Sequence, residues 1–159
     1  MEFKSVIGIV HPEDEEKTVY WFNASKSGAN RLNIGDEVLC NTCKGNKVGI
    51  VKTIIVNLPI EDIIKITSGI IPSRRIIGRV EKLKLEDIVI PFHWKNTLPD
   101  PKKLMERVDE YYRCLSKDKP IVFDTNISFS KSGVLKDGYS AFLVARMFGV
   151  KTLTGLVKV

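Results

Sequence analysis

The sequence predicts an α+β fold, in which a small N-terminal β-barrel is followed by a second, α+β domain. In the first half, short runs of β-branched and aromatic residues alternate with turns at roughly 10-residue spacing, which is typical of small barrels. In the second half, short strands alternate with segments that carry helical apolar periodicity. We place the two domains at residues 1–80 and 83–159.

The first half is predicted to consist almost entirely of strands. Residues 3–10 and 18–22 are rich in β-branched and aromatic side chains, and they predict two strands joined by the polar turn 11–16. A loop rich in Asn, Ser and Gly follows at 23–30, and residues 32–40 predict a turn into a third strand. Together these segments favour a barrel of the SH3-like or OB kind.

The barrel is predicted to continue through a hairpin and a closing strand. Gly45-Asn46 is a strong signal for a tight hairpin turn into the strand 48–56. Residues 57–74 allow two interpretations, a helical turn that opens after Pro59 or an extended connection. Residues 75–83 alternate in polarity and predict the strand that closes the barrel.

The second half begins with short strands around a longer helix. Residues 85–90 and 121–124 predict strands, and a loop at 91–98 separates the first of them from the helix. Asp100 precedes Pro101, which suits an N-cap followed by proline at the first helical position. Apolar side chains then recur along one helical face, as in a surface helix. They are Leu104, Val108, Tyr111, Tyr112 and Leu115.

A strand, a tight turn and a buried helix are predicted near the end of the chain. The short strand leads to Asp137-Gly138, and the following helix over 139–148 ends before Gly149. This helix is apolar nearly all round and should be buried against a sheet. A turn that feeds a helix N-terminus is an anion site, because free N–H groups and the helix dipole point the same way. Residues 151–159 predict a final strand.

Composition limits the functional classes. The hydrophobic fraction of 43% and the charged fraction of 28% are those of an ordinary globular protein. A net charge of +6 permits nucleic-acid or nucleotide partners, although no long block of like charge is present. No signal peptide or membrane-spanning run is evident, so no membrane partner is expected. Three cysteines, an odd number, argue for a reducing environment, and we expect a cytoplasmic protein.

Three motifs in the second half occur in a characteristic order. They are Leu83-Lys-Leu-Glu-Asp-Ile-Val-Ile-Pro91, Pro120-Ile-Val-Phe-Asp124 and Val134-Leu-Lys-Asp-Gly-Tyr, the last followed by Ala145-Arg-Met-Phe-Gly149. In this order they resemble the ParB/sulfiredoxin superfamily, whose members combine a Leu-x-x-Ile-x-x-Pro opening, a Pro-Ile strand and an Asp-Gly-x-x-Arg…Ala…Leu-Gly close. The resemblance covers residues 83–159 and implies a ParB/sulfiredoxin-like α+β domain with a nucleotide-handling turn.

The resemblance implies binding more than it implies catalysis. In the chromosome-segregation proteins the region binds CTP and the fold serves DNA loading. In sulfiredoxins a cysteine of the turn attacks a peroxiredoxin sulfinate after ATP-dependent phosphorylation. Here Tyr139 stands at the position of that cysteine, and Ser140 and Ala141 stand at the positions of the family's arginines. A tyrosine cannot act as the thiolate nucleophile, and the bidentate arginine contacts to phosphate are missing.

The predicted nucleotide or phosphate site combines the turn with a second polar cluster. In the family topology, the loop around His93 and the start of the long helix approach the turn. Imidazole, aromatic and cationic groups can together hold a nucleotide. The alternative interpretation is purely structural: the glycine serves only the geometry of the turn, and Trp94 anchors the loop. The predicted residues are Asp137, Gly138, Tyr139, Ser140, His93, Lys95, Lys102 and Lys103.

A nucleic-acid site is predicted in the first half, where aromatic residues lie near cations in the sequence. Tyr20, Trp21, Lys26 and Arg31 are its candidate residues, with core packing of the aromatic rings as the alternative. Cys40-Asn-Thr-Cys43 has a zinc-like spacing, but a structural zinc site needs four ligands. We therefore predict no metal site and assign no catalytic residue.

The sequence favours a ParB-like, nucleic-acid-associated binding protein that is not an enzyme. Its cofactor, if it has one, is expected to be a nucleotide with Mg²⁺ at the Gly138 turn. Two alternatives remain open at this point. One is a nucleotide-dependent enzyme of the same superfamily (phosphotransfer, NTPase or nuclease-like), and the other is a protein-interaction adaptor.

Overall fold

The computed structural model describes residues 2–159 and has an α+β fold. Contacts divide these residues into two compact units: unit 1 comprises residues 2–80 with Val159, and unit 2 comprises residues 81–158. The strands are β1 Phe3–Val10, β2 Tyr20–Ala24, β3 Glu37–Thr42, β4 Gly45–Pro59, β5 Ile76–Lys84, β6 Ser128–Phe129, β7 Leu135–Asp137 and β8 Thr152–Val157. The helices are α1 Lys26–Asn30, α2 Ile60–Ile66, α3 Phe92–Lys95, α4 Pro101–Ser116 and α5 Tyr139–Met147.

The strands form one open, mixed sheet in the order β2-β1-β4-β3-β5-β8-β6-β7. Antiparallel pairs connect β1 with β2 and β4, and β3 with β4 and β5, whereas β6 pairs with β8 in parallel. Within the described residues, no helix is both long enough and apolar enough to cross a membrane.

Unit 1 encloses its own apolar core. Side chains from β1 to β4 and from α1 meet there, and the fully buried ones include Ile7, Ile9, Val38 and Val51. The long β4 follows β1 with two register shifts, between Lys4 and Val6 and between Gly8 and Ile9. Such bulges bend a strand and increase its twist.

The structure does not show the predicted small barrel, because the sheet is not closed. The outer strand β2 meets the residues before β5 at one bridge, Asn23 to Arg75, where the Asn23 N–H donates to the Arg74 carbonyl oxygen at 2.8 Å. Closure requires a continuous ladder of such bonds. Residues 67–74 do not form one, since Ser68 and Gly69 have positive φ angles and Pro72 has no N–H to donate.

Local predictions in unit 1 succeeded for the strands and failed in two loops. The first alternative for residues 57–74 is confirmed, since α2 begins directly after Pro59. The predicted loop 23–30 contains the short helix α1, which Ser25 caps by accepting the Gly28 N–H at 2.9 Å. The hairpin turn is Cys43-Lys44 instead of Gly45-Asn46, because Thr42 pairs with Gly45 across it.

Unit 2 packs α4 and α5 against its short strands. Helix α5 contributes four buried residues, Ala141, Phe142, Val144 and Ala145, which confirms that it is a core helix. Helix α4 meets it through the ring of Tyr111, which stacks on Phe148 with centroids 4.3 Å apart. The N-cap prediction for α4 is also confirmed: the Asp100 carboxylate accepts the Lys102 N–H at 2.9 Å.

Two strands predicted in unit 2 are absent, and one predicted loop contains a helix. Residues 85–90 form a 3₁₀ turn, Leu85–Asp87, followed by a single bridge from Val89 to Val134. Residues 121–124 have no strand partner, since side chains of α4 bind the backbone of Asp124 instead. The predicted loop 91–98 contains the one-turn helix α3.

Candidate functional site

The turn before α5 is a backbone feature that only glycine fits. Gly138 has a φ of +96°, and a Cβ there would lie 2.8 Å from Ile127 Cγ1 and 3.0 Å from the Asn126 carbonyl oxygen. Its own N–H donates to Asp137 Oδ1 at 2.9 Å. No side chain among residues 2–159 caps α5, so the N–H groups of its first turn remain open to an anion.

An aromatic wall stands beside this turn. The Trp94 ring, carried by α3, stacks on the Tyr139 ring with centroids 5.4 Å apart and planes 18° apart. Tyr139 in turn lies nearly parallel to Phe142, at 6.5 Å. The Tyr139 ring is therefore part of a stacked aromatic array, on which a further planar ring could stack.

A buried arginine reaches the same place from α4. The Arg107 side chain is only 9% exposed. Its Nη1 donates to the Asp124 carbonyl oxygen at 2.9 Å, and its Nη2 donates to Glu106 Oε2 at 3.3 Å. Its Nε lies 3.1 Å from Glu110 Oε1, although the angle there does not make a hydrogen bond. Two of the five guanidinium donors are thus engaged in hydrogen bonds within the described chain.

These groups line one cleft in unit 2, the α5 cleft, of about 390 Å³. This volume lies within the range of about 300–1,000 Å³ that is typical of small-molecule sites. The cleft contains cations and carboxylates together with backbone, hydroxyl and aromatic groups. Its lining residues are Trp94, Thr97, Leu98, Pro99, Asp100, Lys103, Glu106, Arg107, Thr125, Asp137, Gly138, Tyr139 and Ser140.

The structure brings five of the eight predicted phosphate-site residues to the α5 cleft. They are Asp137, Gly138, Tyr139, Ser140 and Lys103. The other three, His93, Lys95 and Lys102, are exposed and do not line it. The His93 ring instead contacts the Trp94 ring, with centroids 5.3 Å apart and planes tilted by 59°.

Sequence reasoning missed Arg107, which lies on the predicted apolar face of α4. It is three residues after Leu104 and four before Tyr111, both of which pack against the unit 2 core. The sequence signal that could have revealed Arg107 is a charged residue that lies between two core positions on one face of a helix. Glu110, three residues further on, is buried with it and compensates its charge.

In unit 1 the predicted nucleic-acid residues separate into two pairs. Tyr20 and Trp21 line a groove of about 500 Å³, the unit 1 groove. Lys26 and Arg31 are exposed at the two ends of α1 and do not line it. Among the described residues, no cluster of three or more His, Cys, Asp or Glu side chains is arranged to hold a metal ion.

Comparison of this chain with protein-family models, with curated proteins and with solved structures finds no significant match.

Proposed function

We propose that this protein is a ParB-like, nucleic-acid-associated binding protein that holds a nucleotide in the α5 cleft without turning it over. The observation that carries the proposal is the position of Arg107, a buried guanidinium lining the same cleft as the uncapped N-terminus of α5. The resemblance of residues 83–159 to the ParB/sulfiredoxin superfamily supports the nucleic-acid association.

The phosphates would bind at the start of α5. The free N–H groups of Tyr139 and Ser140 and the helix dipole favour an anion there. Arg107 supplies guanidinium N–H donors that the sequence around Gly138 lacks, although Glu106 and Glu110 compensate its charge, and Lys103 adds a cation at the cleft wall. Because Arg107 is held by Asp124 and Glu106, its remaining donors are pre-oriented, which lowers the entropic cost of binding.

The base would extend the stack of Trp94 on Tyr139. Stacking of a base on an aromatic side chain contributes about 1–3 kcal/mol and tolerates different bases. Asp100 and Asp137 also line the cleft and would disfavour bare phosphate. Since Mg²⁺ usually binds through one or two carboxylates together with substrate phosphates, these residues fit a nucleotide bound with Mg²⁺.

In the part of the chain that the structure describes, the cleft lacks the cysteine nucleophile that sulfiredoxins use. Among the described residues that line it, none is a cysteine or a histidine. The carboxylates of Asp100 and Asp137 already accept backbone N–H groups, and that of Glu106 pairs with Arg107. Measurement of phosphate release from bound nucleotide separates this proposal from the alternative of a nucleotide-dependent enzyme, which predicts turnover.

Tryptophan fluorescence tests the proposal directly. The chain has two tryptophans, so a Trp21→Phe variant leaves Trp94 as the reporter at the cleft. We expect titration with CTP or ATP, with and without Mg²⁺, to change its emission and to raise the melting temperature. At 100 times the Kd, the bound nucleotide should add about 2.7 kcal/mol of stability.

Two neighbouring lysines of α4 provide a matched comparison. Lys103 lines the cleft, whereas Lys102 is exposed outside it. We expect Lys103→Gln to weaken nucleotide binding by about 1 kcal/mol, the upper value for an exposed charge pair, and Lys102→Gln to leave it unchanged. Flat fluorescence and melting curves at millimolar nucleotide would overturn the proposal and favour the protein-interaction adaptor.

A further inference from the structure

The unit 1 groove lies between three segments of unit 1. These are the start of β2, the β3–β4 turn and the connection between α2 and β5. The connection is fixed between two strands, since the Arg74 carbonyl accepts the Asn23 N–H at 2.8 Å and the Arg75 carbonyl accepts the Asn41 N–H at 3.2 Å. The groove is therefore built into the fold of unit 1.

Aromatic rings form one side of this groove. Tyr20 is 47% exposed, and its ring centroid lies 5.4 Å from that of His11. The His11 ring is itself held, because its Nδ1 lies 2.9 Å from the Val48 carbonyl oxygen. A large, half-exposed ring that is positioned by a second ring is a ready stacking surface.

The charge of the groove has a single sign. Lys44, Lys47 and Arg74 line it together with apolar residues such as Ile70 and Ile71, and none of the described residues that line it is acidic. An apolar and aromatic surface bordered only by cations is complementary to a ligand with flat apolar faces and an anionic backbone. An unpaired nucleic-acid strand has this composition.

We propose that the unit 1 groove binds a single strand of nucleic acid, with a base stacked on Tyr20 and phosphates near Lys44, Lys47 and Arg74. The inference rests on the nucleic-acid association proposed above, and it names the partner as unpaired. A duplex keeps its bases stacked inside and offers mainly a charged backbone, so the half-exposed Tyr20 ring and the exposed isoleucines would contribute little to its binding.

The β1–β2 connection, next to the groove in the chain, carries acidic residues. Glu13, Glu15 and Glu16 are exposed on this connection, directly after the groove residue His11. Their carboxylates do not line the groove, but a negative charge close to His11 in the chain disfavours phosphates there.

Fluorescence polarisation of labelled oligonucleotides at low salt tests this inference on the full chain. We expect a labelled single-stranded decamer to bind at least about tenfold more tightly than a duplex of the same sequence, because stacking on aromatic rings adds to charge. Tyr20→Leu should weaken single-strand binding by about tenfold. Removing one groove cation should reduce the slope of log affinity against log salt by about 0.7.

Matched controls separate the groove from general charge. Lys26→Gln and Arg31→Gln remove the same charge from unit 1 outside the groove, and we expect them to lower single-strand affinity less than Lys44→Gln or Arg74→Gln does. Replacing Glu13, Glu15 and Glu16 with glutamine should strengthen binding. Circular dichroism and melting curves of every variant establish that the fold is retained.

Four outcomes would overturn the inference. Two concern specificity: single strand and duplex bind with equal affinity, or a poly-glutamate peptide binds as tightly as the oligonucleotide. The other two are that groove and control variants weaken binding equally, and that no single strand binds at 100-micromolar protein. The nucleotide titration, followed by Trp94 emission in the Trp21→Phe variant, keeps the two proposals apart. If the oligonucleotide does not bind but the nucleotide does, the groove proposal is rejected and the α5 cleft proposal stands. If the nucleotide titration is flat, the α5 cleft proposal is rejected.

Discussion

Arg107 Nη1 donates a hydrogen bond of 2.9 Å to the backbone carbonyl oxygen of Asp124. The backbone N–H of Asp124 is bound as well, since it donates to the two carboxylate oxygens of Glu110 at 3.1 and 3.0 Å. Two oppositely charged side chains of one helix thus satisfy both polar groups of a backbone segment that has no strand partner. The same pair brings a guanidinium to the α5 cleft.

Removal of Arg107 should destabilise the fold strongly. In an Arg107→Met variant the buried carboxylate of Glu110 loses its counter-charge, and we expect a loss of about 3–5 kcal/mol in the free energy of unfolding. Adding Glu110→Gln should recover part of this loss, because the amide oxygen still accepts the Asp124 N–H without a buried charge. Urea unfolding of both variants measures the effect, and a single variant within 1 kcal/mol of the wild type contradicts it.

Gly138→Ala should cost more than the same change at Gly149. Both glycines have positive φ angles, +96° and +72°, but a Cβ at Gly149 meets no atom within 4 Å. We expect Gly149→Ala to cost about 1–2 kcal/mol from backbone strain alone. At Gly138 the contact with Ile127 adds a steric cost. The melting temperatures of the two variants test this. Equal decreases would show that Ile127 moves away from the new Cβ at no cost in stability.

Trp94 and Tyr139 should be energetically coupled. Their rings are stacked at 5.4 Å, and such pairs contribute about 0.5–1.5 kcal/mol beyond their buried area. A double-mutant cycle with Trp94→Leu and Tyr139→Leu measures this coupling from unfolding free energies. Tyr112→Leu serves as the control second mutation, since the Tyr112 ring contacts Tyr111 and Phe148 instead. If the coupling of Trp94 with Tyr139 is no larger than its coupling with Tyr112, the stacked pair does not contribute to stability.

Cys40 should make the fold less stable at alkaline pH. Burial raises the pKa of its thiol from 9.0 to about 12. The folded state therefore retains a proton that the unfolded state releases above pH 9, so the stabilisation is complete below pH 9 and declines as the pH rises towards 12. Unfolding free energies between pH 8 and 11 should fall more steeply for the wild type than for Cys40→Ala.

The exposed Cys43 gives the control for this pH dependence. Cys43→Ala removes a thiol of the same segment that is already in contact with solvent. We expect its unfolding free energy to follow the wild-type curve over the whole range. Parallel curves for the wild type and Cys40→Ala would mean that the buried thiol does not contribute.

Prediction from sequence succeeded where the signal is local. Pro59, Asp100 and Gly149 mark the boundaries of α2, α4 and α5, because each acts on the backbone within one helical turn of its own position. The site was predicted in part by the same logic, since the Gly138 turn is a local feature. Lys103 reaches the cleft and Lys102 does not, although both belong to the first turn of α4 and no sequence pattern separates them.

Prediction failed where distant residues decide the outcome. Residues 121–124 have the composition of a strand, yet α4 binds their backbone through side chains. Residues 75–83 form the expected strand, but a single bridge at Asn23 does not close the sheet. Each case depends on which partner a backbone N–H or carbonyl group finds, and that partner lies many residues away.

The sequence by itself determined the α+β character of this protein, the turn at Gly138 and the start of α4 at Asp100, since these follow from backbone conformation and capping. Only the tertiary structure decided that the sheet stays open and that Arg107 is buried beside the α5 N-terminus. It also decided which cations border the unit 1 groove. The physical reason is that burial and charge pairing arise from contacts between segments that are far apart along the chain.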